Sequence, residues 1–548
     1  MLGRIYWDKE VPEDWNGEWN EEYRTVPEKT DYARTSTHMH VLEYISKLAW
    51  NTEYMYIERL FISDLHRVAP LVILSNPRVK TPEEARETGK TVVYIQGNIH
   101  PSEAEGKESV LMLMRDIALG EHSNLLDKLI ILLVPDFNPD GNEAWEVKNS
   151  STFSGTPHIQ SLRHNAMDVD VNRDAIKIET LNMKGLYDNV LNRWDPEVFL
   201  DLHSMGRVQH GYSVLYAPSY TPTAHPEPRE FTQYKMLPAI REMAKEDYGC
   251  MFFTHADFDW DEWPPKVWDP VEGGYSVEAK FIVNAIGLRN RMSILTETPG
   301  HVGFEKRIYA SYVFTHCLLD YVYNHGDEIQ ETCRKADQDT VNIILEKASS
   351  GELRNWVEGE YTEQDETCDL YAYPGRKEEC IPGTSIVSHW IGEGQPHLIK
   401  DVVDLTKPTG KKASIVPRGY VFYEELETVA EKLQIHGVKL EQLQNPVSIE
   451  GYEYIIDEFN EVQKGWIRQY EMTELTGGWF KTKKTYPAGS YHVDMAQPLA
   501  NVAFYCLEPG VGDGLAGWNY FNTYLKSRGV ESNSVVFPVF KYLRLLEK

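Results

Sequence analysis

The stretch from Thr91 to Gly141 constrains this chain most. It reads as an apolar run, TVVYIQG, then a helical pattern from Lys107 to Leu119, then a second apolar run, LIILLVPDFNPDG. Strand, helix and strand in that order imply neighbouring parallel strands, because parallel strands need a crossover between them. Further strand signals stand at YMYIERLFIS and PLVILS before this unit, and at VFLDLH and RMSILTET after it. Two helical stretches, RIYASYVFTHCLLDYVYNH and DEIQETCRKADQDTVNIILEKA, separated by a turn in YNHGDEIQ, close the unit near residue 349. The expectation is an α/β domain over residues 46–349, built on a largely parallel or mixed sheet. An N-terminal arm and lead-in helix over 1–45 precede it. Short strand-like runs such as GYVFYEE and SIEGYEYII, with one helix around LETVAEKLQIHG, predict a smaller β-rich domain over 350–548.

A chain of 548 residues is too long for one ordinary core, which agrees with more than one domain. The net charge of −29 argues against nucleic acid or an anionic membrane as partner. No apolar run approaches the length of a membrane span. The opening MLGRIYWDKEVPEDW has no basic segment leading into an apolar core, so no signal peptide is read there. A cytoplasmic chain and a processed secreted or periplasmic one both fit. None of the six cysteines forms a C-x-x-C, which makes a thiolate metal site a poor reading. Cys368 and Cys380 flank a polar loop and are either bridged or two free thiols.

The chemistry gathers where apolar runs stop. TVVYIQG breaks at Gly97 and Asn98 and is followed by His100 and Glu103. A strand end is where α/β folds place their sites, and an imidazole nitrogen beside a carboxylate oxygen suits a borderline divalent cation. Spacing alone does not choose this pair, since His-x-x-Glu also occurs at His40/Glu43 and His325/Glu328. Those two fall in helical patterns, where such neighbours are commonly surface pairs. A catalytic zinc commonly takes three protein ligands, and His203, at the end of VFLDLH, supplies a third. Such a site also needs a carboxylate that is not a ligand. Glu297, inside the apolar run SILTETPG, is the candidate base, because an acid there would be costly unless it met a charge. Cationic groups for an oxyanion and for a substrate carboxylate come from SLRHNAMDVDVNRDA, as Arg163 and Arg173, with Asn172 beside the latter. The Asn-Arg dipeptide recurs at Asn192/Arg193 and Asn290/Arg291, so it does not identify a site unaided.

Taken together, HPSE at 100–103, NPDG at 138–141, DVNRD at 170–174, DLH at 201–203 and LTET at 295–298 resemble, in order, the motifs of the zinc carboxypeptidases. The resemblance covers roughly residues 50–325. The later PAGSYHVDMAQPLANVAFYCLEPGVGDGLAGWNYF is similar to the tail of a large bacterial branch of that family. The family implies a mixed sheet of about eight strands sandwiched by helices, and one Zn2+ per chain held by His100, Glu103 and His203. It further implies Glu297 as general base and proton shuttle, and Asp170 as the carboxylate that orients the first ligand histidine. Asn172 and Arg173 match the pair that grips a peptide's C-terminal carboxylate, and Arg163 the arginine that polarises the scissile carbonyl.

This chain departs from the family in having Ala175 after DVNRD, where an aromatic residue is common. Tyr275, in EGGYSVEA, is either the tyrosine that caps bound substrate or a loop aromatic. The acidic, Trp-rich DFDWDEWPPKVWDP either rims the cleft or packs as a surface loop. The leading expectation is a metallopeptidase removing the C-terminal residue of peptides. Two alternatives stay open: a zinc amidohydrolase of small N-acyl amino acids, whose carboxylate Arg173 would serve equally, and a silent peptide-binding scaffold. Oligomeric state is not legible.

Overall fold

The computed structural model describes residues 11–546 except 13, 145–160, 207, 301, 379–388, 393–395 and 465–469. Cys380 therefore lies outside the described residues, and so does any pairing with Cys368. The core of the molecule is an eight-stranded sheet of β1 (Met55–Ile62), β2 (Val68–Leu74), β3 (Thr91–Gly97), β4 (Leu129–Val134), β5 (Val198–Met205), β6 (Val214–Pro218), β7 (Phe252–Thr254) and β9 (Met292–Pro299). The two-residue β8 (Val267–Trp268) stands outside it. The order is β1-β2-β4-β3-β5-β9-β6-β7. The central pairs β4/β3, β3/β5 and β5/β9 are parallel, while β1/β2, β2/β4 and β6/β9 are antiparallel. The sheet is thus mixed, as the motif resemblance implied.

Every residue of β3 and β4 is buried, because a central parallel strand has a layer on each face. Alternate side chains feed two cores. Val93, Ile95, Ile131 and Leu200 face the helices Glu105–Ala118 and Phe304–Lys347, together with Leu111, Met114 and Val313. Val92, Tyr94, Leu132 and Phe199 face the opposite core, which continues without a break into Leu433, Phe504 and Tyr505 of the C-terminal part. There a seven-stranded sheet includes the long hairpin Val447–Lys464 and Tyr470–Tyr486. A separate three-stranded sheet joins the two parts. β8 pairs in parallel with Val403–Asp404, and Trp268, fully buried, joins Phe258, Tyr212 and Leu370 in a small core. Of the Trp-rich segment, Phe258 and Trp268 are packed in this core, while Trp263 is exposed.

The two closing helices are one. A single 44-residue helix spans Phe304–Lys347 and passes straight through His325 and Gly326, where the sequence predicted a turn. Gly326 is there for closeness, not for bending. A Cβ at this position would sit 2.4 Å from Thr91 Oγ1, so glycine lets the helix cross the start of β3. Its neighbour Gln330 bonds Gly89 O and Thr91 Oγ1 at the same crossing. His325 and Glu328 form an exposed pair on this helix, 3.8 Å apart. His40, at the start of helix His38–Trp50, accepts from the Thr37 amide and only finishes a helix cap. The described arm is not loose either: Glu28 pairs at 2.8 Å with the fully buried Arg115. Among the described residues no helix is long and apolar enough to cross a membrane.

One buried histidine makes the junction of the two parts sensitive to acid. His436 Nε2 bonds Ile176 O at 2.8 Å, and burial, reinforced by Arg289 and Lys432, pulls its pKa down to about 3. The folded state thus resists a proton that the unfolded chain takes up below about pH 6.5. Stability should be unaffected above that value and fall as pH drops toward 3, by about 1.4 kcal/mol per pH unit from this residue. Denaturant titrations from pH 7.5 to 4.5 on wild type and His436→Gln check this. The variant should lose less on acidification, and parallel curves would rule the histidine out.

Candidate metal centre

The end of β3 is shaped to turn its chain toward β5. Asn98 takes a left-handed conformation (φ 67°), one of the few residue types that does so readily, and its side chain is tied to Asp136 at 2.6 Å. The helix Glu105–Ala118 begins two residues earlier than its apolar pattern suggests and lies tight against the strand ends. A Cβ on Gly106 would sit 2.6 Å from Leu202 Cβ, and one on Gly97 would sit 2.7 Å from the Gly106 backbone. That close approach delivers Glu103 to β5. Within β5, Asp201 and His203 share one face, two residues apart. In the next strand, Glu297 is the register partner of His203.

The result is a convergent, buried set of donors. His100 Nδ1 and His203 Nδ1 are 3.2 Å apart. Glu103 reaches both, with Oε1 3.1 Å from His100 Nδ1 and Oε2 3.0 Å from His203 Nδ1. The opposite nitrogens are occupied: His100 Nε2 is 2.9 Å from Asp170, and His203 Nε2 is 2.7 Å from Asp201. In the neutral tautomer that donates Nε2–H to these acids, each Nδ1 presents a lone pair toward the other two donors. Two lone pairs and a carboxylate facing one another need a positive charge between them. Without a metal, a proton supplies it: burial pulls the His203 pKa down, but Asp201 and Glu103 outweigh it and hold it well above the usual value. A divalent cation meets the same need without the proton, and a two-histidine, one-carboxylate set with acid-tethered imidazoles suits zinc. The three side chains are the buried one of two such donor groups among the described residues. The other, His225, Glu227 and Asp339, is partly exposed and already holds Lys335.

Around these donors stand the other residues singled out by sequence. Glu297 is buried, and its Oε2 has no hydrogen-bond partner among the described residues. Burial and the nearby Glu103 carboxylate push its pKa up to about 8, against the pull of His203 and Arg163. Arg163 bonds Glu103 Oε1 at 2.9 Å and Asp170 Oδ2 at 3.0 Å. Asn172 Nδ2 lies 3.4 Å from His203 Nε2, and its Oδ1 accepts from the Ile282 amide at 3.0 Å. Arg173 sits over the Phe281 ring, 4.1 Å from its centre, and forms no ion pair among the described residues. The other Asn-Arg dipeptides are structural: Arg193 meets Glu58, and Arg291 meets Asp195 and Asp337. Tyr275 is buried, its hydroxyl 3.4 Å from Asn284 Oδ1 and its ring against Tyr220, His255 and Phe281.

Two contributors were not singled out from sequence. Asp201 was legible in principle, as an acid two residues before a candidate ligand on the same strand face. Glu105 was not. It pairs with the buried Arg307 at 2.9 Å and accepts from Thr298, bracing β9 from behind; its neighbours come from 193 and 202 residues away.

Residues 70–275 match the zinc carboxypeptidase family model. The chain carries a zinc carboxypeptidase domain. That match and the curated carboxypeptidases similar to this chain indicate a metallocarboxypeptidase, a hydrolase. The match includes His100, Glu103, Arg163, Asp170, Asn172, Arg173 and His203 and stops before Glu297. Carboxypeptidase 2 of Trichophyton equinum is 24% identical over 513 residues, spanning 87% of this chain and 82% of its own. Human carboxypeptidase D is 28% identical over 156 residues, 28% of this chain and 10% of its own. Among solved structures, a metallo-carboxypeptidase from Burkholderia cenocepacia overlays 54% of this chain and 71% of its own, at 17% identity and a TM-score of 0.39. The carboxypeptidase domain here is followed by the β-rich part that shares its core.

Proposed function

We propose that this carboxypeptidase hydrolyses the C-terminal peptide bond of peptides with one zinc per chain, held by His100, Glu103 and His203. The observation that carries the peptide-end reading is Arg173. It is a guanidinium with no carboxylate partner among the described residues, seated on Phe281 next to the donor cluster, and burial pulls its pKa below the ordinary value. A cation in that state favours an incoming carboxylate, which its planar fork can take on both oxygens. Bound at the site, zinc would polarise a carbonyl and make water more acidic.

The chain's own groups do the rest. Glu297 Oε2, free and buried, takes the proton from attacking water and returns it to the leaving amine. Its raised pKa comes down once cationic charge lies beside it, which poises it near neutrality. Arg163 is fixed through Nε and Nη1, leaving Nη2 for the developing oxyanion. Asp170 and Asp201 hold the imidazoles in one tautomer and one orientation. Tyr275 and Phe281 form a wall behind the carboxylate site. The division into an arm, a catalytic domain ending at residue 349 and a β-rich domain is part of the same reading. The long helix ends there, at Lys347, followed by one short turn.

Paired peptides with free and amidated C-termini test this. The free form should be cleaved about 10- to 150-fold better, since a charged hydrogen-bonded pair contributes roughly 1.5–3 kcal/mol. Arg173→Ala should erase most of that preference by raising KM. Equal cleavage of both peptides would sink the terminal-residue reading.

A further inference from the structure

The tail motif around residues 500–520 has no place in the chemistry above, yet it reaches the segments that hold the substrate residues. On one side lies the loop from Tyr275 to Phe281. Its Ala279 amide donates to Tyr505 Oη at 2.9 Å, and the next amide, Lys280, donates to Asp513 Oδ2 at 2.7 Å. Tyr505 in turn donates its hydroxyl proton to Asp513 Oδ1. Both side chains are buried. Two residues on, the Ile282 amide donates to Asn172, and Phe281 lies under Arg173.

On the other side lies the chain that follows Arg173. Three consecutive carbonyls there accept bonds from the C-terminal part: Ile176 from His436, Lys177 from Tyr520 and Ile178 from Lys432, at 2.8, 3.3 and 2.9 Å. Neither segment belongs to a strand of the main sheet, so the sheet does not set their position. The backbone bonds they need are completed by side chains 220 or more residues away in sequence.

We infer that the C-terminal part is a component of the substrate site, with Tyr505 and Asp513 as positioning residues that hold the 275–281 loop so that Phe281 seats Arg173 for a substrate carboxylate. This rests on the role proposed for Arg173. The loop's two amides would otherwise be unpaired inside the protein, and the Phe281 ring would drift from under the guanidinium. Geometry of this kind is felt in binding of the carboxylate rather than in the proton transfers at Glu297.

The test uses the full chain with its zinc. Tyr505→Phe removes one acceptor and keeps the ring; Asp513→Asn keeps the volume. On a peptide with a free C-terminus each should raise KM by about 3- to 10-fold, the worth of an ordinary hydrogen bond. Values of kcat should stay within about two-fold, and zinc content should be unchanged. Inhibition by an N-acyl amino acid should weaken by the same factor as KM rises. In an Arg173→Ala background Tyr505→Phe should add nothing further. If Arg173→Ala raises KM while both tail variants leave it alone, the inference is overturned and the Arg173 reading stands. A fall in kcat and zinc content together, or full additivity with Arg173→Ala, would also overturn it by showing a merely structural role. No KM change in Arg173→Ala would remove the parent reading and this one with it.

Discussion

Glu297→Gln should lower kcat by about 10³-fold while the chain keeps its zinc and its KM. The substitution preserves size and an acceptor oxygen but removes a buried, titratable carboxylate beside the donor cluster whose Oε2 has no hydrogen-bond partner among the described residues. General-base contributions of roughly 10²- to 10⁴-fold are typical, and a base used twice in one cycle belongs in the upper half of that range. Elemental analysis run beside steady-state kinetics separates the two ways the variant could fail. Activity within ten-fold of wild type at full zinc occupancy would take the role of base away from Glu297.

Removing a ligand should be more drastic. His203→Ala leaves Glu103 and His100 with two donors and frees Asp201 inside the core, so zinc should fall from about one per chain to near zero and hydrolysis with it. The carboxylate behind the ligand gives a graded comparison. Asp201→Asn keeps the packing but loses the charge that fixes the His203 tautomer, and should weaken zinc binding by about 10- to 100-fold. Competition against a chelator measures both. A wild-type chain that takes up no zinc, or a His203→Ala chain that keeps it, would refute the ligand set.

What could be read from sequence follows a physical line. Strand ends were visible because buried parallel strands are apolar throughout and stop at turn-forming residues, and so His100, Glu103, His203 and Glu297 could be named before their distances were known. The turn predicted at His325–Gly326 was wrong, since glycine breaks a helical pattern on paper, whereas here it answers a contact with Thr91, more than 230 residues earlier, that no local pattern records. Asp201 was on the page as part of a motif, and only strand alternation would have promoted it. Glu105 and Arg307 were hidden, because a buried ion pair between distant elements leaves no spacing to find.

Sequence by itself determined the alternating strands and helices, the net negative charge and which residues could be offered as donors, since these depend on residue type and short-range order. Only the tertiary structure decided that the three donors meet within bonding distance of one another, that Arg173 has no carboxylate partner among the described residues, and that the C-terminal part shares a core with the catalytic one. Those facts rest on register between β5 and β9, on close packing at Gly97 and Gly106, and on amides finding acceptors far along the chain. Each is a long-range closure, whose outcome is fixed by how the whole core packs and not by any one segment of it.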